Sequence, residues 1–101
     1  MVQSQKTTQQ KVWQIVHQIP VGRVATYGQI ADLAGMPTHS RLVGRILSQL
    51  PHDTNLPWHR VINSQGRITN PNGITQKSRL ADEGVFVING KISLREYRWR
   101  Y

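Results

Sequence analysis

Acid–base, nucleophilic and anion-binding chemistry each require particular side chains, and this sequence is rich in only the last kind. It contains no cysteine, so no thiolate nucleophile is available. Its four histidines, at positions 17, 39, 52 and 59, show no metal-ligand spacing with a cysteine or an acidic partner. There is no Gly-x-Ser-x-Gly elbow and no glycine loop of the phosphate-cradling kind. The acidic residues are Asp32, Asp53, Asp82, Glu83 and Glu96. Of these, only Glu83, together with His59, is a candidate for proton transfer. No pattern calls for a cofactor or a metal. Basic residues are a different matter: 13 Lys+Arg against 5 Asp+Glu leave a net charge of +8. Most of them are arginines, at 23, 41, 45, 60, 67, 79, 95, 98 and 100. The planar guanidinium fork suits phosphates and guanine edges. The charge therefore points to nucleic acid as partner, with an ordinary basic protein as the alternative.

These residues need a scaffold, and apolar periodicity supplies its outline. Over residues 8–19, Val12, Trp13, Ile15, Val16 and Ile19 fall at helical spacing, and Pro20 ends the run. Gly22 permits the turn that follows. Thr26-Tyr27-Gly28-Gln29 has the capping-box pattern, so a second helix should follow with Ile30, Ala31, Leu33 and Ala34 inward. Gly35 suits its C-terminal cap and Pro37 forbids continuation. Thr38 can cap a third helix over 39–50, with Leu42, Val43, Ile46, Leu47 and Leu50 on one face and His39, Arg41, Arg45 and Ser48 on the other. Two short helices around a turn, the second with arginines on its outer face, fit a helix-turn-helix; a helical hairpin with a solvated basic face fits equally.

Beyond residue 50 the pattern shortens. Pro57-Trp58-His59-Arg60 leads into Val61-Ile62 as a short strand, followed by a turn over Asn63–Gly66 and a second strand at Arg67-Ile68. Asn70-Pro71-Asn72-Gly73 reads as a surface loop, and Ser78 as the cap of a short helix ending at Gly84. Val85–Ile88 and Lys91–Leu94 flank Asn89-Gly90, the signature of a type I′ hairpin. The expected class is α+β: a small, mainly helical domain with a helix-turn-helix, a short strand and a C-terminal hairpin. A single domain over 1–101 is expected, with residues 1–8 loose and an Arg- and aromatic-rich tail at 95–101. No apolar run approaches membrane-spanning length, and Met1–Gln10 lacks the apolar core of a signal peptide, so a cytoplasmic address is expected.

Four ordered segments resemble the C-terminal domain of the O6-alkylguanine-DNA alkyltransferases, over roughly residues 9–88. They are Val24–Ala31 with its tyrosine, Gly35–Pro37 with Arg41-Leu42-Val43-Gly44, Leu56–Ile62, and Leu80–Val85 with its glutamate. The resemblance implies a winged-helix-like alkyltransferase domain, in which the Pro57-Trp58-His59-Arg60 segment occupies the place of the family's Pro-Cys-His-Arg active site. With Trp58 at the cysteine position, the chain is similar to the alkyltransferase-like proteins, which bind the lesion without repairing it and lack the separate N-terminal domain of many alkyltransferases.

What the resemblance implies is specific. Tyr27 would press on the phosphate 3′ to the target nucleotide and help rotate it out of the stack. Arg41 would enter from the minor groove and fill the gap, while Thr38, His39 and Arg45 would join it on DNA. Tyr27, Pro57, Trp58 and Ile68 would line the lesion pocket. His59 and Glu83 would be the remnant of a proton relay, now structural, and Arg60 would tie loops together. The partners implied are duplex DNA carrying O6-alkylguanine and the damage-recognition proteins of nucleotide excision repair, with no membrane and a monomeric chain. Flipping a base to read it in a pocket, with a wedge offsetting the cost, is physically sound. Two competitors remain: a base-removing glycosylase acting through Glu83 or His59, and a helix-turn-helix module that ignores lesions. The tail could cover the pocket loop, contact DNA or contact a protein. Leu50 stands where the family carries an asparagine hinge, and the 68–73 segment, with Pro71, also departs from the pattern. Trp58→Cys should therefore restore the motif but give little or no alkyl transfer; stoichiometric transfer of a methyl group from O6-methylguanine DNA to that variant would overturn this.

Overall fold

The computed structural model of the chain describes residues 7–101. In chain order its elements are α1 (Thr8–His17), β1 (Ala25–Thr26), α2 (Tyr27–Leu33), α3 (Ser40–Ser48), a 3-10 turn (Trp58–Arg60), β2 (Val61–Ile62), α4 (Gly73–Asp82) and α5 (Leu94–Tyr97). The class is α+β with helix predominant. Residues 1–6 of the segment expected to be loose lie outside the described residues. Thr7 and Thr8 are ordered into α1: the Thr7 side chain accepts from the Gln10 N–H while the Gln10 side chain returns to the Thr7 N–H.

The β1–β2 ribbon separates two cores. The strands are parallel, with Ala25 opposite Val61 and Thr26 opposite Ile62. Successive side chains on a strand point to opposite faces. Ala25 and Val61 accordingly join Val12, Val16, Ile30, Val43 and Trp58 on one side, where α1, α2 and α3 pack. Val24 and Ile62 join Leu80, Val85 and Ile92 on the other. The capping box at Thr26 and Gln29 forms with both of its bonds, so α2 starts directly at the end of β1. Gly35, at φ +77, ends the turn of chain that follows α2.

Several expected details are corrected. Pro57–Arg60 is not a strand: Arg60 N–H donates to the Pro57 carbonyl and curls the segment into a 3-10 turn, leaving only Val61-Ile62 extended. The second strand at Arg67-Ile68 does not form. The Asn63 side chain instead accepts from the Gln65 and Arg67 N–H groups and folds the turn on itself. β2 pairs with β1 rather than with its sequence neighbour. The helix expected to be capped by Ser78 is α4, which starts at Gly73, so Ser78 lies in its interior rather than capping it. The C-terminal hairpin keeps its turn, with Asn89 and Gly90 both at positive φ, but shrinks to the single bridge between Ile88 and Lys91. His39, not Thr38, occupies the α3 cap, without a side-chain bond to the helix; the Thr38 hydroxyl pairs with the His39 ring at 3.2 Å. Leu33 is exposed at the end of α2.

The tail runs beside β1. Val24 N–H donates to the Tyr97 carbonyl (2.9 Å) and Trp99 N–H to the Val24 carbonyl (2.7 Å), which adds the tail as a parallel rung beside β1. The Gln29 amide, already part of the capping box, also donates to the Trp99 carbonyl. Trp99 packs on the three-helix core.

Gly66 joins the second core to the turn. Its carbonyl accepts from Ile92 N–H at 2.8 Å, and its φ is +78. A Cβ at this position would run into the Ile92 carbonyl oxygen. Gly66→Ala should therefore lower unfolding free energy by at least about 2 kcal/mol, from left-handed strain plus a backbone clash. Urea unfolding measures it, and a change within the noise would show that the Gly66–Ile92 approach relaxes freely.

Candidate nucleic-acid interface

The outer face of α3 is polar because its inner face is spoken for. Val43, Ile46 and Leu47 are buried, which leaves Ser40, Arg41, Gly44, Arg45 and Ser48 on the opposite side at helical spacing. Gly44 leaves room for a neighbour: the Tyr27 ring lies against it, 3.7 Å from where a Cβ would stand. Tyr27 is the first residue of α2 and is half-buried. Burial raises its phenol above the ordinary value, with the Thr69 side chain acting in the opposite direction.

Tyr27, Arg41 and Arg45 face one groove of about 420 Å³, closed on the far side by Thr69, Asn70 and Pro71. That volume lies in the usual range for small-molecule sites, roughly 300–1,000 Å³. Both arginines are exposed and carry no ion pair among the described residues, so their charge faces solvent. The groove can thus take a planar group beside a tyrosine and hold phosphates with two guanidinium forks. Thr38 and His39 are exposed in the turn just before α3.

The four expected lesion-pocket residues are spread over neighbouring cavities. Tyr27 lines the 420 Å³ groove. Ile68 lines the next one, which shares the walls Thr69, Asn70 and Pro71. Trp58 is buried, packs in the three-helix core and borders a small, partly open cavity of about 70 Å³ with Leu47, Leu50, Asn72 and Arg79. Pro57 is buried and lines a further groove with His17 and His59. Helix α3 and the 69–72 segment supply walls on both the Tyr27 side and the Trp58 side.

His59 and Glu83 meet directly, His59 Nε2 lying 2.7 Å from Glu83 Oε2. Arg60 places its fork on the same carboxylate, Nε at 2.9 Å and Nη2 at 2.8 Å, and its Nη1 donates to the Ile19 carbonyl at 2.7 Å. Gly22 N–H donates to Glu83 Oε1. Burial raises the Glu83 carboxyl, but the hydrogen bonds from Arg60, His59 and Gly22 outweigh it and hold the group at about 2. Burial likewise keeps His59 neutral longer: its value is lowered by desolvation and by the nearby Arg60 and Arg79 charges, against the pull of Glu83. The neutral ring donates through Nε2, and Nδ1 has no partner among the described residues.

Three contributors were not singled out from sequence. Gln76 is fully buried and donates to the His59 and Val61 carbonyls, pinning the 3-10 turn to β2. Its i, i+4 relation to Leu80 is the signal, readable only once 73–82 is seen as a helix. Asn70 is buried and accepts from the Asn72 N–H, shaping the far wall of the groove. Arg79 lies over the Trp58 ring, 5.5 Å from its centroid.

Comparison with known proteins places this geometry. Residues 7–85 match the family described as 6-O-methylguanine DNA methyltransferase, DNA binding domain. The chain is 50% identical over 95 residues to the DNA base-flipping protein of Escherichia coli, covering 91% of this chain and 74% of that protein. It is 42% identical over 99 residues to alkyltransferase-like protein 1 of Schizosaccharomyces pombe, covering 89% and 92%. The crystal structure of S. pombe Atl1 in complex with damaged DNA containing O6-carboxymethylguanine superposes with a TM-score of 0.88 at 41% identity, over 93% of this chain and 95% of that one.

The carboxylate cluster makes stability pH-dependent. Glu83 titrates at about 2 in the folded chain against an ordinary 4.5, so its contribution is complete above 4.5 and is lost as pH falls towards 2. His59 has a folded value below 6.5, so the unfolded chain takes up that proton first and stability also falls on acidification below 6.5. Urea unfolding from pH 7 to 2 should show both losses. Glu83→Gln should cost on the order of 3 kcal/mol at pH 7, from the stranded Arg60, and flatten the lower step. An unchanged lower step in the variant would place the acid sensitivity elsewhere.

Proposed function

The chain belongs to the family of the 6-O-methylguanine DNA methyltransferase DNA-binding domain, and from that premise we propose that it binds O6-alkylguanine in duplex DNA by flipping the nucleotide, without repairing it. The observation that carries this reading is the single groove shared by Tyr27, Arg41 and Arg45 on the outer face of α3. Tyr27 presses on the backbone beside the target, Arg41 fills the gap in the stack, and Arg45 and the exposed Thr38 and His39 hold phosphates. The flipped base rests in the groove, with Ile68 and the 69–71 segment along its edge and its O6 substituent directed to the cavity beside Trp58. Pro57 and Trp58 form the wall behind it.

Chemistry on the base is absent from this reading for two reasons. The chain has no cysteine to accept an alkyl group. Glu83, the one acid considered for base removal, already accepts from Arg60, His59 and the Gly22 N–H and titrates at about 2, which makes it a poor base. His59 and Glu83 are structural here. The product of binding is then the complex itself. A monomer held on the lesion, acting on the chromosome in the cytoplasm, passes it to the damage-recognition proteins of nucleotide excision repair. S. pombe Atl1, which the chain resembles, has been crystallised with damaged DNA.

The test is a titration of matched duplexes carrying guanine or O6-methylguanine, followed by analysis of the recovered DNA. Lesion-selective binding with base and methyl group intact is expected; equal binding to both would leave a generic DNA-binding domain, and release of base or methyl an enzyme. In the same assay Arg41→Ala should weaken lesion binding by roughly tenfold or more, beyond the loss of one phosphate contact, because the gap in the stack is left empty. An equal loss on damaged and undamaged duplex would remove the wedge role.

A further inference from the structure

We infer that the cavity beside Trp58 is a subsite for O6 substituents that end in an anionic or strongly accepting group, and that Arg79 selects them. This rests on the lesion-binding reading above. The cavity measures about 70 Å³. That is room for a few water-sized atoms, far too little for a purine and enough for the end of a short substituent.

Its walls are unequal. Leu47, Leu50 and Trp58 form an apolar side, whereas His52, Asn72, Thr75 and Arg79 present hydrogen-bonding groups, and no acidic residue lines it. The Arg79 guanidinium carbon lies 5.5 Å from the Trp58 ring centroid, so the indole face holds the fork in place. Arg79 has no hydrogen bond or ion pair among the described residues. Glu83, one turn further along, is engaged by Arg60, His59 and the Gly22 N–H. A half-buried guanidinium beside a concavity that no acidic residue lines is a charge with donors to spare. A plain alkyl end entering here would strip water from Arg79 and His52 and return nothing to them. A carboxylate would accept two parallel bonds from the fork. The subsite therefore favours a carboxymethyl-type end over an alkyl chain of the same length.

Three duplexes identical except at one base test this: guanine, O6-propylguanine and O6-carboxymethylguanine, each titrated with the wild-type chain, Arg79→Gln and Arg79→Lys. The wild type should prefer carboxymethyl over propyl by roughly tenfold, the scale of one charge-assisted bidentate pair. Arg79→Gln should erase that preference while leaving propyl binding within about threefold, the size of a lost long-range charge effect. Arg79→Lys keeps the charge without the fork and should retain part of it. If the wild type binds propyl and carboxymethyl lesions equally while rejecting guanine, the subsite is disproved and lesion binding stands. An equal loss on both lesions in Arg79→Gln also overturns the selection role. If the wild type does not distinguish either lesion from guanine, the underlying reading fails instead.

Discussion

One carboxylate holds the second half of this chain against the first. Glu83, at the end of α4, accepts from Arg60 and His59 on the 3-10 turn and from the Gly22 N–H on the connection between α1 and β1. Arg60 extends the link to the Ile19 carbonyl. A largely buried ion cluster of this kind gains less net stability than its contacts suggest, because each charge leaves water. What it provides is position: the guanidinium fork, the imidazole and the peptide N–H fit one pair of oxygens in one arrangement. The Pro57–Arg60 segment is fixed from one side by this cluster and from the other by Gln76, whose amide donates to the His59 and Val61 carbonyls. Trp58, between them, has little choice of place.

The same arrangement sets the charge state of the pair at its centre. His59 and Glu83 are hydrogen-bonded as a relay would be, yet their values are moved away from neutrality: Glu83 is held at about 2, and His59 is pushed down by burial and by two neighbouring arginines. Glu83 is thereby a poor proton acceptor near pH 7. The pair fixes the geometry of the turn, and the Trp58 indole beside it packs into the three-helix core.

The outer surface divides along the same lines. Helices α1, α2 and α3 share one core, α4 and the C-terminal turn share the other, and the two-residue ribbon lies between them. The groove at Tyr27 is formed where α3, belonging to the first core, meets the 69–72 segment leading into α4. The α3 wall carries the arginines, and Asn70 shapes the segment opposite by accepting from the Asn72 N–H.

How much of this was legible follows from the range of each interaction. Local and periodic features could be read directly: the α1 face, the Thr26–Gln29 capping box, the Gly35 and Gly84 helix ends, the Asn89-Gly90 turn and the arginine face of α3 depend on residues within about one helical turn of each other. The missing cysteine and the ordered motifs pointed to the family, which the comparisons establish. Several errors fall where distant partners decide, whereas the Thr38 and Ser78 caps and the Arg67-Ile68 strand fail on local hydrogen bonding. Pro57–Arg60 reads as a strand but curls, because Glu83 and Gln76 capture it from α4. Val61-Ile62 pairs with Ala25-Thr26 across more than thirty residues of chain rather than with its neighbour. The tail's place beside β1, the burial of Gln76 and the meeting of Arg79 with Trp58 are likewise products of packing between segments far apart in sequence. Sequence by itself determined the first three helices, the Thr26–Gln29 capping box and the charge on α3, since those energies are local; the site's cavities were decided only by tertiary structure, since their walls come from segments that meet only when the chain is folded.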